Sequence, residues 1–138
     1  MSGIFDRQIT LLEKSLDFRA QRNMLLSSNV ANIETPGYKA RDLVFEGELG
    51  LAMKANVPGP LDVTNPRHLD GRNLTPLDRV KPQLILSANA VGSVDGNSVD
   101  LEKEMAKLGE NQVAFQALTQ MMTQKFLQLR SAIREGDL

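Results

Sequence analysis

The residue with the clearest potential for chemistry in this sequence is His68, because it is the only histidine in the chain. Asp62 and Asp70 lie near it, which suggests a histidine–carboxylate pair for proton transfer or part of a metal site. The segment supplies neither a second nitrogen ligand nor a nucleophile, so His68 is interpreted as a surface or locally packed side chain. The sequence therefore predicts no catalytic, cofactor-binding or metal-binding residue. A small hydrolase that uses His68 and Asp70 is kept as an alternative.

Two glycine- and aspartate-containing stretches imitate ligand-binding loops without matching them. Residues 92–96 lack the glycine spacing and the following Lys-Ser/Thr of a phosphate-binding loop. Residues 95–100 lack the ligand spacing and the terminal glutamate of a calcium loop. The methionines of the C-terminal region are interpreted as packing residues. No cluster of side chains in the sequence points to catalysis.

The overall composition argues against several classes of function. The chain has 16 Lys and Arg against 17 Asp and Glu, so it carries no bulk charge that would attract nucleic acid or an anionic membrane. The absence of cysteine removes thiol catalysis, disulfides and thiolate metal sites. No apolar run approaches the ~18 residues of a transmembrane span. The first residues are polar, and we expect no cleavable secretory signal peptide.

The C-terminal segment, residues 99–138, carries the strongest periodic pattern and predicts one long helix. Its seam recurs in alternating steps of four and three residues, which is typical of a coiled coil. The seam consists of Leu101, Met105, Leu108, Gln112, Phe115, Thr119, Met122, Phe126, Leu129 and Ile133. Asp100 or Ser98 is expected to cap the start of the helix. A helix of this length needs a partner to pack against.

The N-terminal segment, residues 1–34, repeats the pattern and predicts a second long helix. Its seam consists of Phe5, Ile9, Leu12, Leu16, Arg19, Asn23, Leu26, Val30 and Ile33. Each seam is polar near its middle, at Arg19 and Asn23 in this helix. We expect an antiparallel, coiled-coil-like pair in which these residues lie level with Gln112 and Thr119.

A second apolar row marks another face of the N-terminal helix. The row recurs every seventh residue and consists of Ile4, Leu11, Phe18 and Leu25. One partner helix cannot cover two faces, and the chain offers too few other helices to cover the second one. The pattern therefore favours a helix inside a multi-chain assembly, with the second row exposed in the isolated chain.

The middle segment, residues 35–98, differs in composition from both ends and contains all 6 prolines of the chain. The N-terminal helix is expected to end near Ile33, because Pro36-Gly37 reads as the centre of a type II turn. After this turn, apolar residues at positions 45, 49 and 53 have the spacing of a short helix.

The remainder of the middle segment shows weaker signals. Residues 56–81 are rich in Pro, Gly, Asn and Asp, and predict an extended or partly disordered loop. Residues 82–91 are expected to hold one short strand, and Asp95-Gly96 signals a hairpin-type turn. The sequence thus predicts one mainly α domain. Two long terminal helices form an antiparallel coiled-coil-like pair, with a short helix and a loop-rich, partly disordered middle between them.

Residues 27–39, Ser-Ser-Asn-Val-Ala-Asn-Ile-Glu-Thr-Pro-Gly-Tyr-Lys, closely resemble a signature shared by bacterial flagellar rod and hook proteins. Its recognisable core is Asn29, Ala31, Asn32, Thr35, Pro36, Gly37 and Tyr38. Residues 95–108, residues 125–133 and residues 64–69 are similar to the proximal rod proteins of this axial family. The last of these stretches makes His68 a family feature without a catalytic role. The resemblance covers both ends of the chain strongly and the middle loosely.

The resemblance implies a structural subunit of the proximal flagellar basal-body rod without enzymatic activity. It implies export from the cytoplasm by the flagellum-specific type III apparatus, without a cleavable signal peptide, and self-assembly in the periplasm. The implied partners are other copies of the chain, other flagellar rod proteins, the rod–MS-ring adaptor and the export gate. No cofactor, nucleic acid or small-molecule substrate is expected.

The predicted assembly interface joins both seams to the signature. It comprises Phe5, Ile9, Leu12, Leu16, Asn23, Leu26, Asn29, Val30, Asn32, Thr35, Pro36, Gly37, Tyr38, Met105, Leu108, Gln112, Phe115, Met122, Phe126, Leu129 and Ile133. The alternative function is a soluble coiled-coil adaptor or secretion chaperone, which would share the paired seams without needing the signature. Residence in purified basal bodies or in the cytosol distinguishes the two.

Overall fold

A computed structural model describes residues 4–55, 77–87 and 95–135 of the chain. The elements follow in the order α1 (Ile4–Ala31), β1 (Arg41–Val44), α2 (Glu46–Ala55), a 3₁₀ turn (Leu77–Arg79), β2 (Gln83–Leu86) and α3 (Leu101–Glu135). The mainly helical fold with two long terminal helices and a short helix is confirmed. No helix in these ranges is both long and apolar enough to span a membrane.

The two long helices pack against each other in antiparallel orientation, as predicted, and make the most extensive contact between elements. The side chain of Asn29, late in α1, donates to the Glu104 carboxylate at 2.7 Å, early in α3. The side chain of Asn111, further along α3, donates at 2.9 Å to the carbonyl of Arg19, which lies earlier in α1. Residues later in α3 therefore contact residues earlier in α1, which makes the pair antiparallel.

The seam of α3 is offset by one residue from the predicted one at alternate positions. The less exposed row of α3 consists of Glu104, Leu108, Asn111, Phe115, Leu118, Met122, Lys125 and Leu129. The predicted seam residues outside this row are all exposed, namely Leu101, Met105, Gln112, Thr119, Phe126 and Ile133. The offset arises because Glu104 and Asn111 find polar partners on α1, which an apolar pattern does not reveal.

The second apolar row of α1 is covered by the middle segment, so the expectation that it would lie exposed is wrong. Phe18 is buried, and Leu11 and Leu25 pack against the same core. The other members of this core are Leu43, Phe45, Leu49, Ala52, Leu77 and Val80. The rings of Phe18 and Phe45 lie 5.4 Å apart. Each fully buried Leu or Phe contributes about 2–3 kcal/mol, so this core holds β1, α2 and the 3₁₀ turn on α1.

β1 and β2 form a two-stranded antiparallel sheet in which Arg41 pairs with Leu86 and Val44 with Gln83. The strand expected within residues 82–91 is confirmed as β2, whereas β1 was not predicted because its sequence lacks an apolar alternation. The predicted short helix is confirmed as α2. Most of the predicted disordered loop, residues 56–76, lies outside the described residues.

α1 ends at Ala31, within two residues of the predicted end. α3 begins at Leu101, and the Asp100 carboxylate accepts from the Lys103 N–H at 3.3 Å. Asp100 is therefore the N-cap residue of α3, and Ser98 serves elsewhere. The boundaries of the three segments, 1–34, 35–98 and 99–138, stay a prediction.

Candidate assembly interface

A tight turn at residues 35–38 follows the C-terminal end of α1. The Tyr38 N–H donates to the Thr35 carbonyl at 3.2 Å, with Pro36 and Gly37 at the two central positions. Gly37 has a φ of 72°, in the left-handed region that a type II turn requires at its third residue. The predicted turn is confirmed.

The turn packs directly against the segment that leads into α3. The Gly37 N–H donates to the Asp95 carbonyl, and the Ser98 N–H donates to the Tyr38 carbonyl, both at 2.9 Å. Gly96 also has a positive φ, 69°, and a β-carbon there would lie 3.8 Å from the Cα of Gly37. Backbone conformation, rather than space, therefore requires glycine at both positions.

Asn97 joins this segment to the C-terminal end of α1. Its side-chain nitrogen lies within hydrogen-bond distance of the carbonyl oxygens of Asn32, Ile33 and Thr35, at 3.0, 2.6 and 3.0 Å. Its side-chain oxygen accepts from the Val99 N–H at 2.8 Å. The last carbonyls of a helix lack hydrogen-bond donors within the helix. Asn97, in the segment before α3, supplies donors to the carbonyls at the end of α1.

Asn29 is fully buried where α1, β1 and α3 meet. Its amide nitrogen donates to the Arg41 carbonyl and to the Glu104 carboxylate, each at 2.7 Å. Its side-chain oxygen accepts from the Arg41 N–H at 3.1 Å and from the Tyr38 hydroxyl at 3.3 Å. Asn29, the first asparagine of the signature, therefore hydrogen-bonds to β1, to α3 and to the turn at residues 35–38.

A charged cluster continues from this junction across the face between α1 and α3. Arg22 pairs with both carboxylate oxygens of Asp42, at 2.8 and 3.0 Å. Lys107 lies 3.4 Å from Asp42 and 3.0 Å from Glu104. Both carboxylates are buried, and each has cationic or amide donors around it. The cluster orients α3 relative to β1 through directional contacts.

The environment shifts the pKa values of the strongest pair in this cluster. Burial raises the pKa of Asp42, but hydrogen bonds from Arg22 and the Leu43 N–H, and the charges of Arg22 and Lys107, outweigh burial. The pKa of Asp42 is therefore held below its usual value. The hydrogen bond to Asp42 raises the pKa of Arg22. The pair stays charged at neutral pH.

The polar mid-seam residues lie together between the two long helices. Besides its bond to the Arg19 carbonyl, Asn111 accepts from the Arg19 guanidinium at 3.4 Å. The same guanidinium lies 5.5 Å from the ring centre of Phe45. A cleft of about 220 Å³ opens beside it and is lined by Arg19, Ala20, Asn23, Met24, Asn111, Gln112 and Phe115. Gln112 is therefore level with Arg19 and Asn23, as predicted, and Thr119 does not line this cleft.

The predicted interface residues divide into three groups by exposure. Leu12, Leu26 and Asn29 are buried. Half-buried positions are Ile9, Leu16, Asn23, Val30, Asn32, Tyr38, Leu108, Phe115, Met122 and Leu129. Exposed positions are Thr35, Pro36, Gly37, Met105, Gln112, Phe126 and Ile133. The side chain of Phe5 lies outside the described part. The first two groups are covered, fully or in part, within the chain, whereas the third group is exposed.

Five polar residues of this junction were missed from the sequence, namely Arg22, Asp42, Asn97, Glu104 and Asn111, and Ser98 was predicted only as a possible cap of α3. Ser98 accepts from the Ala40 N–H at 2.7 Å, so it also joins the two segments. Glu104 and Asn111 are seven residues apart and each precedes a predicted seam residue, which is a periodic signal that was available. Asp42 carries no such signal, because its role depends on the pairing of β1.

The structure adds no catalytic or metal centre within the ranges that it describes. No group of three or more His, Cys, Asp or Glu side chains in these ranges could hold a metal ion. His68, Asp62 and Asp70 lie outside them. The described arrangement joins helices and strands of one chain.

Comparisons with known proteins identify relatives along nearly the whole chain. The flagellar basal body rod protein FlgB of Yersinia ruckeri is 30% identical over 135 residues, covering 95% of this chain and 96% of that protein. The FlgB proteins of Borrelia hermsii and Bacillus subtilis are 31% and 30% identical, and cover 96% and 97% of this chain and 99% and 98% of their own length. No family model matches the chain. The extent and identity of these matches place the chain in the family of the flagellar basal body rod protein FlgB.

Proposed function

We propose that this protein is a structural subunit of the flagellar basal-body rod that assembles through its terminal helices. Family membership supports the place of action. The mode of action is supported by the exposed apolar row of α3, which consists of Leu101, Met105, Phe126 and Ile133. Met105, Phe126 and Ile133 in this row are 54%, 55% and 70% exposed. These apolar side chains lie towards the two ends of α3, on either side of Gln112 and Thr119, and large apolar side chains left exposed on a helix mark a surface that another chain covers. This row is the observation that carries the proposal.

The charge distribution on α3 supports the same surface. Residues 111–124 contain no Asp, Glu, Lys or Arg, although charged residues make up 24% of the chain. Exposed side chains in this stretch include Val113, Met121 and several glutamines and threonines. Protein interfaces are depleted of charge at their centre and enriched in methionine. The stretch has the composition of an interface centre rather than of a solvated helix.

The proposed partners are other copies of the chain, other flagellar rod proteins, the rod–MS-ring adaptor and the export gate. The exposed residues of the turn, Thr35, Pro36 and Gly37, and the exposed row of α3 are the proposed contact sites. The proposed route is export by the type III apparatus, without a cleavable signal peptide, followed by assembly in the periplasm. No catalytic role is proposed.

Charge reversal of the apolar row tests this function. Phe126→Glu with Ile133→Glu places two carboxylates on the proposed interface, while both side chains are exposed in the single chain. We expect the variant to fold and be exported but to be absent from purified basal bodies, with loss of motility. Ser131→Glu, an exposed polar position on the same helix, is the matched control and is expected to be motile.

Fractionation of the unsubstituted protein distinguishes the two functional hypotheses. Recovery in purified basal bodies supports the rod subunit. Recovery only in the cytosol, or normal motility of the doubly substituted variant, would contradict it and favour the adaptor or chaperone.

A further inference from the structure

Within the described residues, the outer edge of β2 presents backbone groups without partners. The Ser87 N–H donates to the Ala40 carbonyl at 2.8 Å, and antiparallel pairing alternates along the strand. The N–H and C=O groups of Leu84 and Leu86 therefore point away from β1. Within the described ranges these groups make no hydrogen bond. They are free to pair with an extended strand.

The strand is short and follows Lys81 and Pro82, but within the described residues no charged side chain, proline or neighbouring element protects its four positions. Leu84 and Leu86 are 56% and 67% exposed, and Ile85 is also exposed. No charged residue interrupts the strand, which reads Gln-Leu-Ile-Leu. Natural edge strands are usually protected by lysine, proline, a bulge or a covering element. An exposed apolar edge of this kind is a template on which another strand can pair.

The sequence around Ile85 is self-complementary, and we propose that two copies of the chain pair through their β2 edges. An antiparallel pair centred on Ile85 places each Leu84 opposite the Leu86 of the other copy. Gln83 then faces Ser87, while the two Ile85 side chains face each other. Every apolar residue meets an apolar residue, and the four outward backbone groups of each strand find partners.

The pairing stops at two copies because α1 packs against β1 and occupies the other sheet edge at Arg41. On that edge Asn29 bonds both the N–H and the C=O of Arg41, and the Leu43 N–H donates to the Asp42 carboxylate. The product is a four-stranded sheet across a two-fold axis. A two-fold contact cannot extend a rod, so this dimer is a property of the free subunit and is independent of the proposed rod function. Its small area makes it a weak dimer.

Disulfide formation in this cysteine-free chain tests the pairing and its register. In the proposed dimer the Ile85 residues form a non-hydrogen-bonded pair with Cα atoms about 4.5 Å apart, within reach of a disulfide. Two Leu84 residues are diagonal neighbours at about 7–8 Å and lie beyond that reach. We expect Ile85→Cys to form a disulfide-linked dimer and Leu84→Cys to lose this product, because Cα atoms more than about 7 Å apart cannot be bridged without backbone movement. Equal disulfide formation in the two variants would overturn the proposed register.

Sedimentation of the unmodified chain against concentration provides the second measurement, with Leu84→Pro as the matched variant. Proline at position 84 removes an outward N–H and leaves the bonds to β1 intact. We expect the native chain to move from monomer towards dimer with increasing concentration, and Leu84→Pro to stay monomeric. Leu84→Lys, which places a charge opposite a leucine, should behave likewise if proline disturbs folding. A monomeric native chain, a dimeric Leu84→Lys or growth beyond the dimer would contradict the proposal.

Discussion

The side-chain amide of Asn29 takes the place of a neighbouring strand beside Arg41. It donates to the Arg41 carbonyl at 2.7 Å and accepts from the Arg41 N–H at 3.1 Å. The same amide nitrogen bonds the buried carboxylate of Glu104 on α3. One side chain therefore closes an edge of the sheet and fixes α1 against both β1 and α3.

Truncation of this side chain is expected to lower the stability of the fold. Asn29→Ala leaves the backbone of Arg41 and one oxygen of Glu104 without their buried partner, at a cost of about 2–4 kcal/mol in the free energy of unfolding. Asn29→Asp adds a carboxylate next to Glu104 and should cost at least as much. Ser27→Ala, at an exposed position of α1, is the control. Urea unfolding followed by circular dichroism measures all three, and equal midpoints for Asn29→Ala and the control would contradict this role.

The two glycines with positive φ give a second prediction. Gly37→Ala and Gly96→Ala each force a side chain into the left-handed region and should cost about 1–2 kcal/mol. Gly37→Asn should cost less, because asparagine tolerates that region. Gly47→Ala in α2 meets no atom within 4 Å and should be neutral or stabilising by about 0.5–1 kcal/mol. If Gly37→Ala matches Gly47→Ala in urea unfolding, the turn is not constrained as described.

The same turn yields a prediction in the cell. Gly37→Val combines a positive φ with a β-branched side chain and should redirect the chain between α1 and the segment that enters α3. We expect the variant to be made and exported but to fail to build the rod, which fractionation and a motility assay can measure. Normal motility would exclude a constrained turn, and retention in the cytosol would assign this segment to export instead of assembly.

The sequence alone was sufficient for features that depend on local periodicity or turn chemistry. The long helices, the short helix and the turn at Gly37 follow from apolar spacing and from Thr-Pro-Gly. Only four of the ten predicted seam residues of α3 lie in its less exposed row, because Glu104 and Asn111 face α1, where Asn29 and Arg19 supply partners. β1 and the cover over Phe18 depend on contacts between distant segments, which no local pattern encodes. The buried role of Asp42 was hidden for the same reason.

Acid should weaken the fold partly through Asp42. Its pKa in the folded chain lies below the unfolded value of about 3.9, so its carboxylate stabilises the fold fully above that pH. This stabilisation is lost as the pH falls through the folded pKa. Asp42→Asn should therefore be less stable at pH 7 and lose less stability than the native chain on acidification to pH 3. Asp17→Asn, at an exposed position of α1, is the control, and an unchanged acid loss in Asp42→Asn would refute this assignment.

The exposed row of α3 is the central element of the proposed function, and thiol labelling measures its state directly. Met105→Cys introduces a single cysteine at an exposed position of this row. Cells that carry this variant should be motile. Maleimide should label the introduced thiol rapidly in the isolated subunit and slowly in basal bodies purified from those cells. Unfolding the basal bodies before labelling provides the full-reaction reference. Equal labelling of the isolated and the assembled protein, or absence of the protein from basal bodies, would contradict the assignment of this row as the assembly surface.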